Sequence, residues 1–184
     1  ITQLRPIFVE TEAAVIAASV EYLSDATELI LDGHTPTRLV VFDYHQEVDD
    51  HREALENARA RLADTAVDIE TLGHLVERGR TLPMAPATVP GEEDPLSLLV
   101  YTSGSTGAPK GAMYLQSAAA GMWSSGNWFG ESAASITANF MPMSHIMGRT
   151  ILYGTLGNGG TAYVSAKSDL STFLEDLALV RPTE

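Results

Sequence analysis

Leu98-Leu-Val-Tyr-Thr-Ser-Gly-Ser-Thr-Gly-Ala-Pro-Lys-Gly111 begins as an apolar strand and breaks into three glycines, four hydroxyls and a lysine. Glycines at 104, 107 and 111 let the backbone take positive φ and turn successive N–H groups toward one point, an arrangement that holds an anion. The hydroxyls of Thr102, Ser103, Ser105 and Thr106 add donors and Lys110 a positive charge, a set that suits a polyphosphate. The order is not that of the nucleoside-triphosphatase P-loop, because Gly111 follows Lys110 where that motif carries Ser or Thr. A Ser/Gly-rich surface turn has a similar composition. Lysine, however, occurs only at 110 and 167, against nine arginines, and this weighs against reading Lys110 as generic solvation.

On either side of this loop, short apolar runs alternate with amphipathic stretches, which predicts an α/β fold of largely parallel sheets flanked by helices. Upstream, residues 13–18 read as a strand and 19–31 as a helix burying Val20, Leu23, Ile30 and Leu31, ended by Gly33. Residues 38–43 form a second strand, and 67–72 a third. Between them Asp50 and Glu53 suggest a capping box for a helix whose Leu55, Ala58 and Leu62 face inward. Downstream, Gly111–Leu115 reads as a strand, Ser117 onward as a helix of small residues, and 135–141 and 161–165 as strands. A final helix is expected over 169–179, with Leu170, Phe173, Leu174 and Leu177 on one face and Pro182 stopping it.

The 184 residues are 45% hydrophobic and carry no cysteine, so a disordered chain, a disulfide scaffold and a thiol nucleophile are all excluded. No apolar run approaches the roughly 20 residues of a membrane helix, and a soluble protein in a reducing, cytoplasmic setting is expected. Of the net charge of −13, residues 1–96 hold 19 acids against 7 bases and residues 97–184 hold 5 against 4. The acidic half would repel polyanions, which argues against nucleic acid as a partner. Four prolines and the run Glu92-Glu93-Asp94 mark residues 81–95 as a connector. An acidic α/β portion over 1–96 and a second portion over 97–184, carrying the loop, are therefore expected. Opening on Ile1 and stopping at Glu184, the chain reads as a piece of a larger protein.

Thr102-Ser-Gly-Ser-Thr-Gly-Ala-Pro-Lys-Gly111 resembles the phosphate-loop signature of the adenylate-forming superfamily, which includes acyl-CoA synthetases, peptide-synthetase adenylation domains and luciferases. Leu98–Tyr114, Asn139-Phe-Met-Pro-Met-Ser-His-Ile-Met-Gly-Arg149, Asn158–Tyr163 and 167–184 resemble, more narrowly, the adenylation domain of bacterial carboxylic acid reductases. Val40-Val-Phe-Asp43 and Glu47-Val-Asp-Asp-His-Arg52 resemble the same family. The resemblance implies part of that domain's large N-terminal subdomain and an ATP- and Mg2+-dependent activation of a small carboxylic acid as acyl-adenylate. In the whole protein the acyl group would pass to phosphopantetheine on a downstream carrier domain, and NADPH would reduce it to the aldehyde on a reductase domain. An acyl-CoA ligase and a silent binding module are the alternatives.

By the same resemblance, Thr102, Ser103, Gly104, Ser105, Thr106, Gly107, Lys110 and Gly111 would hold the β- and γ-phosphates. His145, which alone would read as a structural histidine at a strand-to-helix junction, would lie against the acyl-adenylate as the catalytic residue and nucleotide contact. The resemblance also implies that adenine, ribose and a catalytic lysine are handled by later segments, so the chain alone is expected to form no acyl-adenylate. No metal site is expected. His45 and His51 lack helical ligand spacing, Met141, Met143 and Met147 read as packing, and Thr183-Glu184 lacks the lead-in of the family's magnesium-associated pair.

Overall fold

The structure, a computed structural model, describes residues 4–33, 36–85, 93–103, 109–124, 134–165 and 170–183. The chain divides into two compact units, Ile1–Ala87 and Thr88–Glu184.

The first unit runs α1 (Leu4–Thr11), β1 (Val15–Ser19), a 3-10 turn (Val20–Tyr22), α2 (Leu23–Leu31), β2 (Arg38–Phe42), α3 (Asp49–Arg61), β3 (Asp68–Thr71) and α4 (Leu72–Arg80). Its three strands form one parallel sheet in the order β1-β2-β3, with Val15 opposite Arg38 and Arg38 opposite Asp68. The central strand is buried over Leu39-Val-Val41, the continuous apolar run that a strand covered on both faces requires. Leu23 and Ile30 of α2, Leu55 and Ala58 of α3 and Leu62, the C-cap of α3, share one buried cluster with Leu39 and Val41. Fully burying such a side chain contributes about 1.5–3 kcal/mol.

Three expectations for this unit are corrected. Leu31 is exposed at the last position of α2, past the turn that carries Leu29 and Ile30 into the core. Val48 is the N-cap of α3, without a side-chain cap bond, so Asp50 lies inside the first turn and no Asp50–Glu53 capping box forms. The 67–72 strand ends at Thr71, whose hydroxyl accepts the His74 N–H at 3.3 Å and starts α4 there. Glu70 is buried on β3 and is approached by Arg78 at 2.8 Å, His74 Nδ1 at 2.9 Å and Arg38 at 3.8 Å. All three of these side chains are partly exposed to water, so Glu70→Gln is expected to cost only about 1 kcal/mol. Denaturant unfolding would read this, and an unchanged midpoint would mean that the three contacts merely replace water.

The second unit runs β4 (Leu96–Ser103), β5 (Pro109–Leu115), α5 (Gln116–Ser124), β6 (Ile136–Asn139), α6 (Ile146–Gly157), β7 (Thr161–Val164) and α7 (Phe173–Val180). β4 and β5 pair antiparallel, and β6 and β7 pair parallel. Thr183 extends this second pairing: its N–H donates to Ile136 O at 2.8 Å, and its hydroxyl accepts the Ile136 N–H at 3.0 Å. The final helix is shorter than expected. It begins at Phe173 because Leu170 has φ 58°, and it ends where Arg181 turns left-handed, at φ 48°, before Pro182. Leu174 is exposed rather than inward.

α5 touches β4 and β5 as well as α6. Where it meets α6, the Trp123 and Tyr153 rings stack at 4.9 Å. A Cβ at Gly157 would stand 1.9 Å from Trp123 O, so this helix contact requires glycine. The start of α5 is held by Asp94, whose carboxylate accepts the Ser117 N–H at 2.9 Å and the Ser117 hydroxyl. The hydroxyl bond, with help from the backbone bond, holds the Asp94 carboxyl below its ordinary range. Because the folded value is the lower one, this contribution is complete above about pH 4 and is lost as pH falls further. Asp94→Asn is therefore expected to flatten the acid limb of the stability profile. An identical acid limb in the variant would show that Asp94 does not hold the helix.

Candidate active site

The loop read first in the sequence closes the β4–β5 hairpin. Ser103 pairs with Pro109, Thr102 with Lys110 and Tyr101 with Gly111. Residues directly opposite in an antiparallel pair share a face, with Cβ atoms about 4.5–5.5 Å apart. Thr102 and Lys110 are thus neighbours at the mouth of the loop, and both are exposed. A hydroxyl and an ammonium group side by side, in water, can meet the oxygens of one phosphate group. Gly104, Ser105, Thr106 and Gly107 lie outside the described residues.

Gly111 differs from its expected part in an anion nest. It is a strand residue, and among the described residues the glycines with positive φ are Gly33 and Gly159. A Cβ at 111 would come 3.2 Å from Tyr101 Cζ and 3.5 Å from Leu99 Cδ2. Gly111 therefore makes room for the Tyr101 ring across the hairpin, in the pair next to that of Lys110 with Thr102.

His145 is the N-cap of α6, with extended backbone at φ −100° and ψ 143°. Its Nδ1 accepts the Met147 N–H at 3.1 Å, so the neutral ring carries its proton on Nε2. The side chain is exposed, leaving Nε2–H as a donor at the N-terminal end of α6. His145 also closes the turn before it, its own N–H donating to Pro142 O at 2.9 Å. Met141, Met143 and Met147 are half-buried, in keeping with packing, and Ser144 is exposed. The hairpin and α6 belong to the same unit and are joined through α5.

Three features of this segment were not singled out in the sequence. Asn139, fully buried at the end of β6, donates from Nδ2 to Gly148 O at 2.8 Å and accepts the Met141 N–H on Oδ1 at 3.1 Å. Gly148 is required sterically, since a Cβ there would meet Pro142 O at 2.4 Å and Met141 O at 2.7 Å. Arg149 lies one helical turn from His145, and its buried Nε has no partner among the described residues. The available signal was an asparagine ending an otherwise strand-like run, followed by a glycine in the next helix.

Among the described residues, no three His, Asp or Glu side chains converge on a point where a metal could sit. His45 and His51 contact each other, His51 Nδ1 accepting the His45 N–H at 3.0 Å, which occupies that ring nitrogen. In the second unit Asp94 is engaged by Ser117 and Asp176 by the Thr172 hydroxyl at 3.0 Å.

Residues 8–183 match the family described as AMP-binding enzyme. The chain is 62% identical over its whole length to the carboxylic acid reductase of Mycobacterium tuberculosis and 52% identical, over 98% of its length, to that of Segniliparus rugosus; it spans 16% of each. Among solved structures, the adenylation domain of the Mycobacterium chelonae carboxylate reductase superposes with a TM-score of 0.90 at 51% identity, covering 99% of this chain and 28% of that one. The Segniliparus rugosus adenylation domain, solved with AMP and a co-purified carboxylic acid, gives 0.85 at 49% identity, covering 99% of this chain and 30% of that one. No described helix is long and apolar enough to cross a membrane. By that similarity over its whole length, this chain belongs to the AMP-binding enzyme family, as a segment matching the adenylation domain of carboxylic acid reductases.

Proposed function

We propose that the segment carries the phosphate-binding and acid-activating part of an adenylation site in a cytoplasmic carboxylic acid reductase. The observation that supports this most strongly is the β4–β5 register, which places Lys110 and Thr102 together at the mouth of the glycine- and hydroxyl-rich loop. In the reaction a carboxylate oxygen of the substrate attacks the α-phosphorus of ATP. The bond from that phosphorus to the bridging oxygen breaks, and pyrophosphate leaves. Negative charge builds on the departing β- and γ-phosphates, where Lys110 and the loop donors of residues 102–107 stabilise it. His145 Nε2–H faces the acyl-phosphate side and donates a hydrogen bond there, while Met147 holds the ring in the required tautomer.

The expected product is an acyl-adenylate. In the complete protein the thiol of phosphopantetheine on a following carrier domain would take the acyl group as a thioester and release AMP, and NADPH would supply the hydride that frees the aldehyde and returns the thiol. The test is pyrophosphate release by the full-length protein with ATP, Mg2+ and a panel of aromatic and aliphatic acids. Acid-dependent release followed by NADPH oxidation is expected. Release that yields a CoA thioester and consumes no NADPH would assign the segment to a ligase, and ATP binding without acid-dependent release would assign it to a silent module.

A further inference from the structure

We infer that Asn139 is a positioning residue for His145, an inference that rests on the reading of His145 given above. Its amide bridges the two ends of the turn that presents the histidine: Oδ1 takes the N–H of Met141, where the chain leaves β6, and Nδ2 reaches Gly148 O in the first turn of α6. Residues 142–147 lie between these anchors. Within them the His145 N–H is bonded to Pro142 O, and Met147 N–H to His145 Nδ1. The four hydrogen bonds that tie Asn139 and the imidazole into this turn measure 2.8–3.1 Å, and the glycine at 148 lets the carbonyls of Met141 and Pro142 close onto the helix.

Asn139 is 1% exposed, so its amide has no water to exchange with, and both of its partners are backbone groups of fixed position. A buried amide with its donor and acceptor engaged in this way specifies one arrangement of the turn, which an apolar side chain of the same size would leave free to shift. Displacements of about 1 Å at a reacting centre are enough to lose a large part of its rate. Asn139 touches neither substrate nor nucleotide in this account and acts on the reaction through the ring it places.

The test is a double-mutant cycle in the full-length protein, read by acid-dependent ATP–pyrophosphate exchange. Asn139→Asp keeps the acceptor for Met141 N–H and removes the amide donor to Gly148 O; Asn139→Ala removes both. Each is expected to lower kcat about tenfold with the KM for ATP unchanged, and to have little further effect once His145→Ala is present, because groups that act as a unit are non-additive. An equal fold-loss in both backgrounds, a loss confined to the KM for ATP, or failure of both variants to fold would overturn the inference and leave Asn139 a residue of the fold alone. If His145→Ala itself left exchange unchanged, the reading of His145 would fall, a result distinct from additivity at Asn139.

Discussion

Lys110→Ala in the full-length protein is expected to lower kcat/KM for ATP by about ten- to a hundredfold in acid-dependent ATP–pyrophosphate exchange, the equivalent of about 1.5–3 kcal/mol for a hydrogen bond to a charged group. The side chain is exposed on β5, so truncation removes a cation from the mouth of the loop and leaves the hairpin intact. Because the β- and γ-phosphates are bound in the ground state and gain charge as pyrophosphate leaves, the loss should appear in both KM and kcat. Lys110→Arg keeps the charge but changes its reach and fork geometry, and should recover part of the rate. Exchange that is unchanged in Lys110→Ala would remove this residue from the site.

Gly148→Ala is expected to damage stability and activity together. The new methyl would stand 2.4 Å from Pro142 O and 2.7 Å from Met141 O. Both are backbone atoms, and they belong to the turn that Asn139 pins at Met141 and at Gly148 itself, so they cannot swing away as a side-chain tip would. Overpacking of this kind costs about 1–3 kcal/mol, and more where relief requires backbone movement. The turn would open at its His145 end, so acid activation should fall further than the loss of folded protein accounts for. Thermal unfolding measured beside exchange normalised to folded enzyme separates the two. Native stability with native exchange would contradict the geometry of this turn.

The parts of this fold that were legible in the sequence are those whose pattern is local. Leu39-Val-Val41 announces a covered central strand, and Leu55, Ala58 and Leu62 announce the buried face of α3. α1 and α4 give no such signal, since neither buries a residue completely and α4 contains two glycines. The capping box failed because helix entry is set by where the backbone turns, and it turns at Val48 before either acidic residue can cap. Spacing alone puts Leu174 on one apolar face with Leu177, yet it is exposed on α7.

In the site, composition was enough to single out Lys110 and the hydroxyls around it. What composition does not contain is register. Whether Gly111 bends a loop or clears space for a ring depends on its facing Tyr101 across the hairpin, a pairing that exists only once the strands are in register. Asn139 was hidden for the same reason: its partners are backbone groups on either side of a turn, and only the folded turn brings both within reach of one amide.

The most direct test is the crystal structure of the complete adenylation domain bound to an ATP analogue with a methylene group between the α- and β-phosphorus. The β- and γ-phosphates are expected at residues 102–111 of the hairpin, with Lys110 Nζ within about 2.7–3.2 Å of one of their oxygens and His145 Nε2 turned toward the α-phosphate. Phosphates bound elsewhere, with Lys110 in solvent and His145 facing away from the nucleotide, would contradict this placement.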